Sequence, residues 1–275
     1  MFSNKDLRKL IIPLVIEQLL AVTIGMADTV MVSSCGEAAV SGISLVDSIN
    51  FLLITLFSSL ATGGAVIASQ YIGRGDHKSA SLAAKQLFYA SLALSAVLGI
   101  IAVFFRKPVL NMVFGSIEAD VMAHAQIYFL LSAISYPFLA VYNAGAALFR
   151  SMGDSRTTML ISILMNTINI VGNAILIYGF QMAAAGAATA SLVSRAVGAI
   201  IITVLLLNPH RIIFYDKLHK PEIHLSMLKS ILQIGVPNGL ENSIFQIGKI
   251  LVASIVSGFG TISITANAVA GNLAS

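Results

Sequence analysis

Charged residues are scarce in this 275-residue sequence, where only 10% of positions are Asp, Glu, Lys or Arg and 57% are hydrophobic. Soluble globular domains carry about a quarter charged residues, so this composition excludes an ordinary soluble domain. The sequence also contains no tryptophan and a single cysteine, Cys35. One cysteine excludes an intramolecular disulfide and argues against cysteine-based metal sites.

Several catalytic signatures are missing as well. The five histidines fall in predicted loops or at the ends of apolar segments, and no His-Glu-x-x-His motif occurs, which argues against a membrane protease. No Walker A glycine loop occurs either, so the sequence does not predict an ATPase. We therefore expect a protein that is not an enzyme and that needs no cofactor or resident metal.

Long apolar runs are the feature that the sequence has in abundance. A membrane-spanning helix needs roughly 20 apolar residues, and the runs of sufficient length lie at 10–33, 44–71, 82–105, 127–149, 158–180, 183–207 and 231–258. An eighth run begins near Ile262. Spans of this kind are helical because lipid offers no partner for free backbone groups. The predicted fold class is all-α, a polytopic membrane helix bundle.

The basic residues are distributed unequally between the predicted loops. If the amino terminus is cytoplasmic and the spans alternate, the inside segments hold twelve Lys and Arg residues and the outside segments hold only Arg106 and Lys107. An excess of Lys and Arg on one side marks the cytoplasmic face. We therefore predict a multi-pass protein of the cell (inner) membrane with a cytoplasmic amino terminus. The net charge of +4 reflects topology, and no nucleic-acid partner is expected.

Residues 5–50 recur faintly at 229–274, and each copy has a proline followed one helical turn later by a carboxylate. At a shift of 224 positions the identical residues include Pro13 and Pro237, Glu17 and Glu241, Ser33 and Ser257, and Gly36 and Gly260. Internal repeats of membrane spans are typical of secondary transporters. Six spans precede the second copy, so both copies enter the membrane in the same direction and the two lobes are parallel repeats.

The repeat predicts three parts of the chain. Residues 1–207 are expected to form a six-helix amino-terminal lobe, 208–229 a cytoplasmic linker, and 230–275 the first part of a second lobe. Two full copies would make a protein of roughly 450 residues and twelve helices. We expect such a protein to be a monomer in the lipid bilayer.

Ionisable residues inside the predicted spans are candidate functional sites, because each costs about 2.5–3.5 kcal/mol at a helix centre on insertion scales. Glu17 and Asp28 lie 11 residues apart in the first span, close to three helical turns, and therefore share a face. Asp28 is the stronger candidate for a proton or cation carrier. Glu17 lies one turn after Pro13, which frees a backbone carbonyl, so its alternative role is structural. Arg195 in the sixth span either pairs with a buried acid or snorkels.

A polar stripe runs along one face of the fifth span at steps of 4, 3 and 4 residues. Its members are Ser162, Asn166, Asn169 and Asn173. Contact between helices and the lining of a polar cavity both remain open as its role. In the fourth span, Tyr128, Ser132 and Ser135 share a second polar face, with Tyr136 and Asn143 beside it.

Four stretches resemble the multidrug and toxic compound extrusion (MATE) transporters. They are Met-Ala-Asp-Thr-Val-Met at 26–31, Gln-Tyr-Ile-Gly-Arg-Gly-Asp at 70–76, Leu-Phe-Arg-Ser-Met-Gly-Asp-Ser-Arg at 148–156, and Gly-Ala-Ala-Thr-Ala-Ser-Leu-Val-Ser-Arg at 186–195. The seventh span fits the same pattern with Gly-Val-Pro-Asn-Gly-Leu-Glu at 235–241. The whole chain resembles the N-terminal three-fifths of such a transporter.

The resemblance implies two six-helix lobes around a cleft that opens alternately to either side of the membrane. It implies export of small cationic or amphipathic organic compounds in exchange for H⁺ or Na⁺, with either ion bound at Asp28. The cation-coupling residues are then expected to be Asp28, Glu17, Asn169, Asn173 and Tyr136. The substrate cavity is expected to include Asn166, Ser162, Asn143, Glu241 and Arg195.

Two positions depart from the family pattern. Asn173 stands where DinF-like members have a second acid on the fifth helix, and Phe245 stands where NorM-like members have a glutamate on the seventh. With Asn173 neutral, no second carboxylate raises the pKa of Asp28, which slightly favours Na⁺.

Two other functions stay open. A flippase for lipid-linked saccharides is disfavoured, because a polyanionic head group would require a cavity rich in Arg and Lys. A non-transporting subunit or scaffold would tolerate neutral replacement of Asp28.

Overall fold

The computed structural model describes the backbone of residues 4–115, 117–216, 218 and 222–274, and the side chains of these residues except 4–10, 21–24, 26–28 and 271–274. Within this part of the chain all regular structure is helical. The helices are α1 (Asn4–Ser33), α2 (Glu37–Gly73), α3 (His77–Phe114), α4 (Ala119–Ser151), α5 (Ser155–Asn173), α6 (Ala183–Leu206), α7 (Leu225–Ser257) and α8 (Thr261–Ala274). A π-helical segment, Ala174–Gly179, extends α5.

Six of the described helices, α2 to α7, are long and apolar enough to cross a membrane. The shorter apolar stretches Ile11–Leu20 and Thr261–Ala270 lie in α1 and α8. The predicted all-α membrane bundle is therefore confirmed. The helices α2 and α4 lie at its centre: α2 packs against α3, α4 and α7, and α4 also packs against α3 and α6. On the periphery, α5 packs against α1 and α6.

The turns between the helices lie at two ends of the bundle. We call the end with the turn at 34–36 the Gly36 end and the end with the turn at 74–76 the Gly75 end. Two turns at the Gly75 end each contain a Gly-Asp pair, and their glycines, Gly75 and Gly153, have positive φ of 75° and 81°. Asp76 Oδ1 accepts from the Ser79 N–H at 3.0 Å and Asp154 Oδ1 accepts from the Thr157 N–H at 3.1 Å, so each aspartate caps the next helix.

The stretch between α6 and α7, which we call the strap (residues 207–224), is held against α3. The Gln86 side chain bonds it twice, donating from Nε2 to the Glu222 carbonyl at 2.6 Å and accepting from the His224 N–H at 3.0 Å. The Tyr89 hydroxyl donates to the Leu218 carbonyl at 2.7 Å. The strap is therefore fixed to the lobe that precedes it.

A second set of contacts anchors the earlier part of the strap. Arg211 Nη1 lies 3.3 Å from Asp154 Oδ2, and its guanidinium lies 4.7 Å from the centre of the Phe149 ring. The Tyr215 ring is buried against Phe88, with centroids 5.3 Å apart. The strap ends earlier than the linker expected at 208–229, because α7 already begins at Leu225.

The helices α2 and α7 approach each other closely at glycines. A Cβ atom added at Gly63 would lie 2.5 Å from the Ile231 carbonyl oxygen, and one added at Gly235 would lie 3.2 Å from the Ser59 carbonyl oxygen. Small residues at such crossings let two backbones meet, which is the usual basis of helix association in lipid. At the Gly36 end, α2 also contacts α8.

Candidate functional site

A polar network joins α2 to α4 in the apolar interior of the bundle. Asp47 lies ten residues after the start of α2, about 15 Å along the helix axis. Its Oδ1 accepts from the Tyr128 hydroxyl at 3.0 Å and from Asn50 Nδ2 at 3.1 Å. Among the described residues nothing donates to Oδ2 of Asp47, whose side chain is half-buried.

The network continues from Asn50 across α4. The buried Tyr136 hydroxyl donates to Asn50 Oδ1 at 2.7 Å, and Asn50 Nδ2 also lies 3.4 Å from Ser132 Oγ. One turn further on, Ser135 Oγ accepts from Arg195 Nη1 at 2.7 Å and donates to the Ser132 carbonyl at 2.7 Å. Three membrane-spanning helices, α2, α4 and α6, thus contribute to one hydrogen-bonded cluster.

This cluster contains one acid and one base, Asp47 and Arg195. Within the described residues they form no direct ion pair within 4 Å, and polar side chains of α2 and α4 lie between them. Their formal charges cancel when Asp47 is ionised. Coulomb attraction is stronger in a low-dielectric interior than in water, so each charge affects the other without contact.

Sequence reasoning found part of this cluster. It named Tyr136 and Arg195 as site residues, and it placed Tyr128, Ser132 and Ser135 on one polar face of the fourth span. It missed Asp47 and Asn50. A signal was present, because Asp47 and Asn50 lie three residues apart on one helix face inside the predicted span 44–71.

The polar stripe on α5 contains two hydrogen-bonded pairs in the structure. Asn166 Nδ2 lies 3.4 Å from Ser162 Oγ, and Asn173 Nδ2 lies 3.4 Å from Asn169 Oδ1. Asn169 also donates to Ser191 Oγ of α6 at 3.1 Å. The two asparagines nearer the Gly36 end are buried, whereas Ser162 and Asn166 are half-buried.

Glu17 is placed in a structural contact near the Gly75 end. Its Oε1 lies 3.7 Å from Arg150 Nη1, and the Thr158 hydroxyl donates to its Oε2 at 3.4 Å. These contacts link α1 to α4 and α5. Because these contacts hold three helices together, the structure favours the structural alternative for Glu17.

Two other predicted site residues, Glu241 and Asn143, lie apart from this network, and a third, Asp28, is not described in its side chain. Asp28 is in α1, and its side chain is outside the described residues. Glu241 is exposed on α7. Asn143 on α4 has a buried Nδ2 with no hydrogen-bond partner among the residues described. No three His, Cys, Asp or Glu side chains in the described part of the chain are grouped as metal ligands.

Comparison with known proteins identifies the family. A family model described as MatE matches residues 13–175, more than half of the chain. The chain belongs to the MatE (MATE) family. This is a family of membrane transporters and not of enzymes.

The relatives of this MATE chain are longer than the chain itself. The probable multidrug resistance protein NorM of Thermotoga maritima is 29% identical over 92% of this chain and 54% of its own length. The uncharacterized transporter YisQ of Bacillus subtilis is 30% identical over 92% of this chain and 56% of its own length. The chain thus spans a little over half the length of these curated relatives.

A solved structure shows the same fold. The MATE multidrug transporter DinF-BH, solved as a complex, matches with a TM-score of 0.90 at 22% identity, over 98% of this chain and 60% of that one. Against this background, the MATE resemblance implied a cluster around Asp28, Asn169 and Tyr136. In the structure Tyr136 bonds α2 through Asn50, whereas Asn169 bonds α6 through Ser191.

Proposed function

We propose that the protein containing this chain exports small cationic or amphipathic organic compounds in exchange for H⁺ or Na⁺. The observation that carries the proposal is the hydrogen-bonded cluster of Asp47, Arg195 and their neighbours, held inside membrane-spanning helices of a MATE chain. Ionisable groups at such positions are expensive, and they mark ion and substrate pathways. Relatives named as multidrug resistance proteins support the same activity.

Alternating access is the proposed mechanism. The helices α7 and α8, with which the second lobe would begin, contact the first lobe along α2, through the close glycine crossing with α7 and through hydrogen bonds from α2 to α8. A rigid-body tilt of one lobe against the other would open and close a cleft beside these contacts. Asp28 of α1 is the acid that we propose for cation coupling in this mechanism.

The proposed orientation puts the Gly75 end on the cytoplasmic side of the cell (inner) membrane. Basic residues concentrate at this end, at Arg74, Lys78, Arg150, Arg156, Arg211 and Lys229. Arg106 and Lys107 lie in the half of α3 nearer the opposite end. The asymmetry is the positive-inside pattern, now read along folded helices.

Transport by the protein from the complete reading frame tests this function. A proton gradient or, separately, a sodium gradient would be imposed across everted membrane vesicles, and ethidium movement would be followed by fluorescence. We expect one gradient to drive transport in the wild type and Asp28→Asn to abolish it. Transport that continues unimpaired in Asp28→Asn would place coupling elsewhere. No ethidium movement under either gradient would contradict organic-cation antiport and favour the flippase or the non-transporting subunit.

A further inference from the structure

We propose that the Asp47 carboxylate is a second cation-binding site of this lobe, at which a proton and an organic cation substrate exclude each other. The proposal rests on the proposed antiport function and assigns a residue outside the coupling set that the sequence predicted. It gives the transporter an acid on α2, in addition to the one expected on α1.

The geometry leaves one oxygen of Asp47 available. Tyr128 and Asn50 both donate to Oδ1, which fixes the orientation of the carboxyl group. Oδ2 receives no donor from the described residues and is not among the fully buried atoms without partners, so it keeps an accessible surface. A positive charge can therefore approach Oδ2 without breaking the bonds to Oδ1.

The hydrogen bond from Tyr128 does not by itself require an acid at this position. A neutral asparagine could accept from Tyr128 just as well, without the energetic penalty of a carboxylate within a transmembrane helix. Arg195 offsets the negative charge across the cluster but does not contact Asp47, because its Nη1 is bound to Ser135. Asp47 therefore keeps its own capacity to bind a positive charge.

The ionisable side chains around Asp47 come from α4 and α6. They are Tyr128 and Tyr136 of α4, which lie in the same network, and Arg195 of α6. His124 of α4 is half-buried one turn before Tyr128, where its Cβ lies beside Gly42 of α2. When Asp47 is ionised the cluster is formally neutral, and when Asp47 is protonated the cluster carries one positive charge. The protonated form therefore repels an organic cation, and the ionised form accepts one.

The other helices that contact α2 supply no competing charge from their described side chains. The helix α8 has no ionisable residue, and on α7 Glu241 and Lys249 are exposed. Lys249 lies over its own neighbour Phe245, with 5.1 Å between Nζ and the ring centre. On α1, Glu17 is paired near the Gly75 end with Arg150.

On α3, Arg106 donates to a carbonyl of its own helix, and Lys107 is the next residue. The remaining ionisable residues of α3 lie in its first half, toward the Gly75 end, at His77, Lys78, Lys85 and Tyr89. Asp47 is in the half of α2 nearer the Gly36 end, so these groups are remote along the bundle axis. Arg195 is therefore the charge that sets the balance at Asp47.

The exchange at this site balances in charge and atoms. An organic cation enters, the Oδ2–H bond breaks, and the released proton leaves to water, so that one positive charge replaces another. Binding of the two ions is then coupled because both use the same oxygen. By linkage, bound protons lower the affinity for the organic cation by the same factor by which the bound cation lowers the affinity for the proton.

Labelling with dicyclohexylcarbodiimide tests occupancy of Asp47 directly, since this apolar reagent modifies protonated carboxyl groups in membrane proteins. The purified protein from the complete reading frame would be treated between pH 5 and 9, digested, and analysed by mass spectrometry. We expect modification of Asp47 that declines as pH rises and falls at least fivefold with saturating ethidium. Asp120, which is exposed in the first turn of α4, serves as the matched aqueous carboxyl.

Two outcomes overturn the proposal: no modification of Asp47 at any pH in this range, or modification that bound ethidium leaves unchanged. Ethidium fluorescence polarisation in the same samples measures binding of the organic cation, and so tests the proposed function separately from Asp47. If ethidium does not bind the wild type, the organic-cation function fails, while the pH dependence of labelling still decides whether Asp47 carries a proton.

Binding to variants provides the second measurement. Asp47→Asn should weaken ethidium binding at least tenfold and abolish the proton release that accompanies it in weak buffer, while Asp120→Asn should change neither. Asp47→Glu keeps the charge and should retain pH-dependent binding, which guards against a variant that merely fails to fold. Wild-type affinity and wild-type proton release in a folded Asp47→Asn would overturn the proposal.

Discussion

The side-chain oxygens of Ser41 and Thr265 lie 3.0 Å apart where α2 meets α8, and these residues are 224 positions apart, the same offset at which the sequence repeats. The contact of each hydroxyl with the backbone of the opposite helix is reciprocal. Ser41 Oγ lies 3.2 Å from the Thr261 carbonyl, and Thr265 Oγ1 lies 3.4 Å from the Glu37 carbonyl, which is the same contact with the two copies exchanged. A contact between equivalent positions is what a two-fold axis between parallel repeats requires.

A double-mutant cycle on Ser41→Ala and Thr265→Val should reveal a coupling of about 0.6 kcal/mol, the average for side-chain hydrogen bonds between membrane helices. Unfolding of the purified protein by heat or by SDS would supply the free energies of unfolding. Ser263→Ala is the matched control, because the Ser263 hydroxyl bonds only the Phe259 carbonyl of its own segment. Strict additivity of Ser41→Ala and Thr265→Val would contradict a direct bond.

Gly63→Ala should destabilise the protein by about 1–3 kcal/mol, because the added methyl group would overlap backbone atoms of α7 that cannot move independently. Gly248→Ala is the counterpart on α7 itself, where a Cβ would meet nothing within 4 Å. That control should be neutral or stabilising by up to about 1 kcal/mol, as expected from helix propensity. Equal stability of the two variants would show that the α2–α7 crossing is looser than described.

Tyr215→Phe should leave stability unchanged or raise it, since the buried Tyr215 hydroxyl has no hydrogen-bond partner among the described residues. Burial raises the pKa of Tyr215, so the side chain stays neutral and its removal deprives no neighbour of a charged partner. Tyr89→Phe is the matched case, and it should cost about 1 kcal/mol because Tyr89 bonds the Leu218 carbonyl. Thermal unfolding of both variants would check the contrast, and a larger loss for Tyr215→Phe would refute it.

Acid should weaken the cap that Asp76 provides for α3. Hydrogen bonds from the side chain and backbone of Ser79 hold the pKa of Asp76 below its ordinary value of 3.8. A lowered folded-state pKa means that the contribution is complete above 3.8 and is lost as pH falls through the folded value. Asp76→Asn keeps a capping oxygen, so its stability should fall less than that of the wild type between pH 6 and pH 3. Parallel losses in the two proteins would argue against this cap.

Much of the fold follows from the sequence because it depends on local patterns. Apolar runs of spanning length locate the helices, and Gly36 and Gly260 locate equivalent turns, with φ of 97° and 90°. The steps of 4, 3 and 4 residues locate the α5 stripe on one face, which the bonds between its members confirm. Each of these features needs only the geometry of a single helix or turn.

The cluster around Asp47 could not be derived in this way. Its partners Tyr128 and Arg195 are 81 and 148 positions further along the chain, and no spacing rule connects helices that meet only through packing. Tyr136 could be named without knowing that its hydroxyl would reach Asn50. The strap was likewise recognisable by its polarity, but its bonds to Gln86 depend on how α3 and α6 pack.

The attachment of the strap to α3 determines where motion between the two lobes would be greatest. The helix α7 starts beside His224, which is tied to Gln86, and its 33 residues extend about 50 Å from that fixed point. At the far end of α7 the Ser257 hydroxyl donates to the Phe114 carbonyl of α3 at 3.0 Å. A tilt of about 5° about the His224 end would displace that far end by about 4 Å, which is enough to break this bond. Motion of the second lobe about the strap would therefore be greatest at the Gly36 end, where it requires the bond between α7 and α3 to break.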